Sequence, residues 1–469
     1  MTTGHEDLAG AERAFLIAPA GCGKTELIAK AVASHVGKPQ LVLTHTHAGV
    51  SALRSRLRRC GVAAGSMSVD TIAGFALRYS ASFPATSGLT EFQPAGKGWN
   101  QVYGTALKVL SDPIGRHVLT ASYDGVYVDE YQDCTTDQHA LVLAIAEVLP
   151  CRVLGDPLQG IFGFAGKLVD WSSDLSPHFE ELEPLSTPWR WLDKNPALGE
   201  WLLSIRDPLL RSDPLDLTGA PVEIDEVTQP KQVLTCYRVS ARQGSVVGIR
   251  KWPNDAHEVA RSLGGRFTSM EEMECNDLVK TARKFDSSSG SARALEVIEF
   301  ASLCMTQVKS TLKGASAKLE KGQLPSYGSI PVAMVDALSE IAQDQESDWR
   351  RIWTALSEVR RLPKVKVFRR ELLNEMHKVL RSTYDGAYES LSDAAWSIRD
   401  QARHEIRKLD HRLISRTLLV KGLEFDHCVV LKAEEWDAKS LYVAMTRGSQ
   451  TLSILTANGA PVINYSGAG

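Results

Sequence analysis

The stretch AFLIAPAGCGKTELIAKAV, Ala14 to Val32, decides the fold. A short apolar run turns through a glycine-rich loop and opens an amphipathic helical pattern, Glu26 to Val36. Strand, loop and helix in that order gather backbone N–H groups and a helix N-terminus around one anion. In APAGCGKT (Ala18 to Thr25), Gly21 and Gly23 let the backbone turn its N–H groups inward on the phosphates. Lys24 supplies a mobile positive charge to the terminal ones, and the Thr25 hydroxyl is placed to hold magnesium. The expected nucleotide contacts are Ala20, Gly21, Cys22, Gly23, Lys24, Thr25 and Glu26. The first position of the usual phosphate-loop pattern is Ala18 rather than glycine.

Outward from the loop, short apolar runs recur: Phe15 to Ile17, Leu41 to Leu43, Val126 to Val128 and Arg152 to Leu154, each ending in a small or polar turn. Strands alternating with helical segments predict a parallel sheet in an α/β fold. Val126 to Val128 runs into DEYQD, which puts Asp129 and Glu130 at the carboxyl edge of the sheet, where such folds bind ligands. Asp129 is expected to hold magnesium through water, and Glu130 to polarise the attacking water as general base. LGDPLQGIFGFAG (Leu154 to Gly166) ends the next strand, with Gln159 able to sense a terminal phosphate or the attacking water. Arg190 in TPWRW and Arg447 in YVAMTRG are rigid, permanently charged donors suited to charge developing on a phosphoryl group.

The chain has 469 residues, enough for about three domains. Its formal net charge of -3 excludes a globally basic nucleic-acid binder, so any such contact must be a local patch. The eight cysteines are scattered, and no two stand at the spacing of a zinc site. The N-terminus MTTGHEDLAG lacks the basic and apolar regions of a signal peptide, and no apolar run approaches the roughly 18 residues of a membrane span. The expected location is the cytoplasm.

The expected organisation is a first RecA-like domain over residues 1–183 with a short insertion near 80–122, and a second over 184–254 and 410–469. A helical, charged insert over 255–409 interrupts the second, with SSSGS (Ser287 to Ser291) as a break within it. Val233 to Val239 is expected as a strand just before the insert, and Cys428 to Leu431 and Leu452 to Leu455 as strands flanking a helix around Leu441 to Arg447.

Taken in order, these segments resemble the motif series of superfamily 1 helicases of the UvrD, PcrA and Rep group, in a compact form. LVLTHTHAGVSALRSRL (Leu41 to Leu57) resembles the segment after the phosphate loop, and VDTIAGF (Val69 to Phe75) the next one. DEYQD is similar to DEFQD, GDPLQGIFGF to GDxxQSIYGW, PWR to NYR, and CYRVSA to the YRSNA strand. KGLEF (Lys421 to Phe425) is identical, and YVAMTR is similar to YVAVTR. The resemblance implies ATP and Mg2+ as cofactors, with Trp189 stacked on the base, Glu424 at the ribose, Gly422 among the cofactor contacts, and Arg190 and Arg447 at the γ-phosphate. It implies a single DNA strand or a tailed duplex as partner, reached by His45, Thr71, Phe162 and Phe164.

The chain departs from the group in five places. No counterpart of its adenine-reading glutamine motif precedes the loop, the histidine before KGLEF is replaced by the apolar run Leu418 to Val420, His45 stands for a phenylalanine, Phe164 stands for a tryptophan, and the stretch between Phe75 and Asp129 is too short for the group's accessory domain. Arg350 to Arg381, with Trp349, Trp353 and Phe368 interleaved, and the Arg54, Arg56, Arg58, Arg59 cluster are candidate phosphate tracks or solvated helical faces. Two activities follow as expectations. One is an ATP-dependent helicase or translocase moving 3′ to 5′ on single-stranded DNA. The other is a DNA-stimulated ATPase switch that regulates a partner nuclease of the ATPase and TOPRIM type, as the resemblance of compact UvrD-like chains to the helicase-like subunit of the Gabija anti-phage system implies.

Overall fold

The computed structural model describes residues 4–92, 94, 98–163, 166–272, 276–328, 330–344, 347–402 and 409–465. The first sheet comprises β1 (Arg13–Ile17), β2 (Gln40–Thr44), β3 (Met67–Thr71), β4 (Gly125–Val128), β5 (Cys151–Gly155) and β6 (Glu180–Leu182). Every pairing is parallel, in the order β3-β2-β4-β5-β1-β6. β2, β4 and β5 are buried along their whole length, as strands covered by helices on both faces must be. Parallel pairing brings the turns after β1, β4 and β5 to one edge, so the phosphate loop, DEYQD and GDPLQ converge there.

Past β6 the chain builds a second sheet. β7 (Leu215–Asp216) is set apart, pairing antiparallel with the terminal β14 (Val462–Ile463). Between them β8 (Glu223–Glu226), β9 (Val246–Arg250), β10 (Thr268–Ser269), β11 (Arg412–Arg416), β12 (Phe425–Val430) and β13 (Gly448–Thr456) form an all-parallel sheet ordered β10-β11-β9-β12-β13-β8. The protein is therefore α/β, with two RecA-like parallel sheets flanked by helices. The chain leaves the second sheet between β10 and β11 for a run of helices from Asn276–Ser287 to Leu391–Ala402. These enclose a core of their own, with Leu278, Phe285, Phe300, Leu338, Leu356 and Met376. Asn276–Ser287 ends in the SSSGS segment, and the next helix starts there at Gly290.

Two local expectations are corrected. Val233 to Val239 is not a strand but part of the helix Gln229–Ser240. The Thr228 side chain caps that helix on Lys231 N, Pro230 sits in its first turn, and Thr235, Cys236, Val239 and Ser240 bury one face at helical spacing. The strand is the run that follows, β9, so the CYRVSA segment does not occupy the strand position its resemblance implied. The helix after the phosphate loop is Lys24–Ala33 rather than Glu26 to Val36: Val36 is almost fully exposed, and Gly37 has a positive φ of 148°. The helices Gly98–Ser111 and Pro113–Ser122 bury Val102, Ala106, Val109 and Leu119 in the same core as Leu41, Val126 and Val128 of the first sheet. They thicken that lobe rather than forming a separate one.

The basic stretch is extensively paired. Arg369 is buried against Glu271 and Asp277, while at the surface Arg350 pairs with Asp348, Arg351 with Asp344, Arg361 with Glu358 and Arg381 with Asp385. Phe368 is core, and Trp353 stacks on His377. In the other cluster Arg54 donates to Val69 O and Arg56 pairs with Glu26, which turns the Glu26 carboxylate toward that helix. No helix among the described residues is long and apolar enough to cross a membrane.

Candidate nucleotide site between the two lobes

Close approach as well as backbone conformation demands the loop glycines. Gly21 has φ +72°, and a Cβ there would meet the Trp191 ring at 2.5 Å and Arg190 Cβ at 2.8 Å. Gly23 has φ +91° and caps the helix Lys24–Ala33, and a Cβ there would lie 3.1 Å from Trp189 Cδ1. The TPWRW turn is thus laid directly on the loop, with Arg190 N donating to Gly21 O at 3.1 Å. Trp191 is buried, and its Nε1 donates to Gly448 O of the second lobe at 2.7 Å. Trp189 is 62% exposed, an indole face held at the mouth of the loop.

Lys24 Nζ lies 2.9 Å from Asp129 Oδ1 and 2.6 Å from Glu130 Oε1. Burial alone would push the lysine down, but the two carboxylates outweigh it and hold its pKa above the ordinary value. Burial pushes Asp129 up, with Lys24 opposing. Burial also opposes ionisation of Glu130, yet Lys24 and Lys421 prevail and hold it down at about 2. Glu130 has a left-handed backbone with φ 59°, a strained conformation for a non-glycine residue and of the kind that collects at functional sites. Gln132 spans the edge, its Nε2 donating to Glu130 and its Oε1 accepting from Asp156 N.

Magnesium and a nucleoside triphosphate fit this donor set. Two glycines of positive φ turn the backbone beside a buried lysine. The Thr25 hydroxyl and the Asp129 carboxylate are hard oxygen donors. Among the described residues no group of three or more His, Cys, Asp or Glu side chains could hold a metal by itself.

The second lobe closes over this edge. Arg190 donates through Nε to Glu424 Oε2 at 3.0 Å and through Nη1 to Thr446 O at 2.7 Å. Gly422, with φ +80°, has open space around it. Arg447 is fully buried, donating to Val443 O at 2.8 Å, Leu423 O at 3.0 Å and Thr446 Oγ1 at 2.7 Å. Burial first and the neighbouring Arg190 second pull its pKa down to about 9. In this arrangement Arg447 knits the KGLEF turn to the following helix. Gln159 is also turned inward, its Nε2 on Asp156 Oδ2 at 3.0 Å.

Three residues of the junction between the lobes escaped the sequence reading. Lys421, the first residue of KGLEF, reaches across to Asp133 of DEYQD and to Gln159 O, with Nζ 4.8 Å from the Phe162 ring centroid. Its motif was visible, but its partner was not. Arg206 and Tyr442 join Asp156 in a buried cluster, and no local pattern marks Arg206.

The expected DNA contacts separate. His45 Nε2 lies 3.5 Å from Cys134 Sγ at the cleft, and burial, reinforced by Lys421, pushes its pKa down to about 3. Thr71 is 4% exposed and caps the helix Ile72–Ser82 on Gly74 N, so its hydroxyl is committed to the fold. Phe162 sits beside Lys421, and Phe164 lies outside the described residues.

No family model matches the chain, and no curated protein matches it. Among solved structures it is similar to the arterivirus nonstructural protein 10 helicase in complex with DNA. The identity is 16%, over 52% of this chain and 48% of that one, with a TM-score of 0.27. It is also similar to the crystal structure of arterivirus nonstructural protein 10 helicase, at 12% identity over 96% of this chain and 60% of that one, with a TM-score of 0.30. The chain thus spans about half to three fifths of the length of those solved structures.

Proposed function

We propose that this chain is an ATP-driven motor of the UvrD-like kind that couples hydrolysis to movement along single-stranded DNA. The observation that carries this reading is a composite site: Lys24, Asp129 and Glu130 on one sheet edge, met by Arg190, Lys421 and Glu424 at the junction with a second parallel-sheet lobe. A single-lobed kinase has no use for the second half of that site. Nucleotide binding that draws the halves together, and hydrolysis that releases them, is the motion a translocase needs.

The magnesium nucleotide, when bound, supplies the phosphoryl group and the divalent charge, with Thr25 and Asp129 as the residues that hold the cation. Lys24 exchanges its two carboxylates for the terminal phosphates. Glu130, released from the lysine, accepts a proton from water and so turns the water oxygen on the phosphoryl group. Arg190, already bridging both lobes, places its guanidinium where negative charge develops. Trp189 offers its face to the base.

The test is nucleotide hydrolysis with and without single-stranded DNA, followed by strand displacement on tailed duplexes of either polarity. Strong stimulation with displacement on a 3′-tailed duplex is the expected outcome. A chain that hydrolyses no nucleotide, or does so indifferently to DNA, is not such a motor. Stimulation without displacement fits the alternative, a switch that signals to a partner nuclease. The ion pairing of the Arg350 to Arg381 stretch favours that alternative, since paired arginines offer less grip on a phosphate backbone.

A further inference from the structure

Beneath the phosphate loop lies a buried charged cluster that none of the roles above uses. Asp156, the residue after β5, is wholly buried, and its carboxylate accepts four hydrogen bonds. Arg206 Nη2 donates to Oδ1 at 2.8 Å and Nη1 to Oδ2 at 2.9 Å, a bidentate pair. Leu158 N donates to Oδ1 at 3.1 Å, and Gln159 Nε2 to Oδ2 at 3.0 Å. Arg206 Nη1 also donates to Tyr442 Oη at 2.8 Å, and the guanidinium sits 5.3 Å from that ring's centroid. Tyr442 belongs to the helix Ala438–Met445, which leads straight into Thr446 and Arg447. Thr446 O is the acceptor for Arg190.

A buried ion pair is an expensive way to fill space, since apolar side chains of the same volume do so at least as well. What this pair does that packing cannot is impose direction. The Asp156 carboxylate only accepts, so the Gln159 amide must present its NH2 inward. The carbonyl Oε1 is then the end not held by Asp156, and an oxygen there accepts a hydrogen bond from water, where an NH2 would donate to a phosphate.

We propose that Arg206 is a positioning residue: through Asp156 it sets which end of the Gln159 amide faces the nucleotide, and through Tyr442 it ties that setting to the helix that leads into Arg447. This rests on the nucleotide-hydrolase reading of the site. Arg206 holds the Asp156 carboxylate in place through its bidentate pair, Asp156 holds the amide, and a shift of the Ala438–Met445 helix reaches Gln159 through one guanidinium.

The experiment is a double-mutant cycle on hydrolysis by the full chain, using Tyr442→Phe, Gln159→Ala and the pair, with Arg206→Lys alongside. Nucleotide affinity and nucleotide-free melting are measured on each. Tyr442→Phe removes one hydroxyl and keeps the ring, so melting is expected to move little. Its kcat is expected to fall roughly 5- to 10-fold with KM within about twofold, and that fall is expected to vanish in the Gln159→Ala background, because coupled residues are non-additive. Arg206→Lys keeps the charge but loses the bidentate fork, and is expected to lower kcat further while nucleotide still binds. Additive effects of Tyr442→Phe and Gln159→Ala, or a loss confined to KM, overturn the positioning role and leave the hydrolase reading standing. A parent chain that hydrolyses no nucleotide overturns both.

Discussion

Lys421 Nζ lies 2.7 and 2.5 Å from the two carboxylate oxygens of Asp133, so a buried ion pair joins the KGLEF turn of the second lobe to the DEYQD turn of the first. Asp133 sits three residues past Glu130, and Lys421 is one of the two cations that keep Glu130 ionised. One lysine therefore bridges the lobes and, with Lys24, keeps the expected base charged. Burial dominates Asp133 and pushes it up to about 6, with Lys421 pulling the other way.

Replacing Lys421 with methionine leaves Asp133 buried without its partner, a change that costs about 3–5 kcal/mol when a buried pair is broken on one side. A carboxyl raised in the folded state contributes stability that is full below its unfolded value of 3.8 and is lost as pH rises through its folded value. Removing the lysine raises that folded value further. The melting-temperature gap between the parent and Lys421→Met is therefore expected to be wider at pH 8 than at pH 5, and calorimetry at both values checks it. Adding Asp133→Asn to Lys421→Met is expected to narrow the gap at pH 8.

Glu130→Gln is expected to keep nucleotide binding and lower turnover by about 10²- to 10⁴-fold, the usual contribution of a general base. Single-turnover hydrolysis beside equilibrium binding of a fluorescent nucleotide separates the two effects. Hydrolysis retained at the parent rate removes Glu130 from the role of base.

Trp189 is exposed, so Trp189→Ala is expected to leave the melting temperature nearly unchanged. Lost stacking is worth roughly 0.5–1.5 kcal/mol, hence roughly a 2- to 10-fold rise in KM for ATP with little change in kcat. Quenching of its fluorescence on nucleotide addition gives an independent readout. A kcat defect without a KM change assigns the indole to something other than the base.

Arg190→Lys keeps a positive charge but cannot bond Glu424 and Thr446 at once. The expected result is a fall in kcat of about 10²-fold, comparable to losing one transition-state donor. Nucleotide affinity is expected to change much less. Steady-state hydrolysis over a range of ATP concentrations decides between loss of turnover and loss of binding.

Much of this fold is legible from local chemistry. Gly21, Gly23 and Lys24 between an apolar run and a helix declare a phosphate loop, and apolar runs ending in acidic or amide turns declare a parallel sheet whose loops share an edge. Those signals work because each lies within a few residues, where backbone sterics and hydrogen bonding act directly. The reading failed at Val233 to Val239, where apolar residues fit either period and a threonine cap with a following proline settled the matter for helix.

The tertiary structure alone decided which charges meet. Arg206 pairs with Asp156 and Tyr442, Lys421 with Asp133, and Arg190 with Glu424. Each partner is 50 to 288 residues away in the chain, and an ion pair over that distance leaves no periodicity or motif to read. It also decided that Thr71 spends its hydroxyl on neighbouring backbone, and Arg447 its guanidinium on backbone carbonyls and the Thr446 hydroxyl, rather than on an open surface. The phosphate loop belongs to the sequence; the second lobe's hold on it comes from the way the two sheets pack, because burial sets which polar groups must find one another.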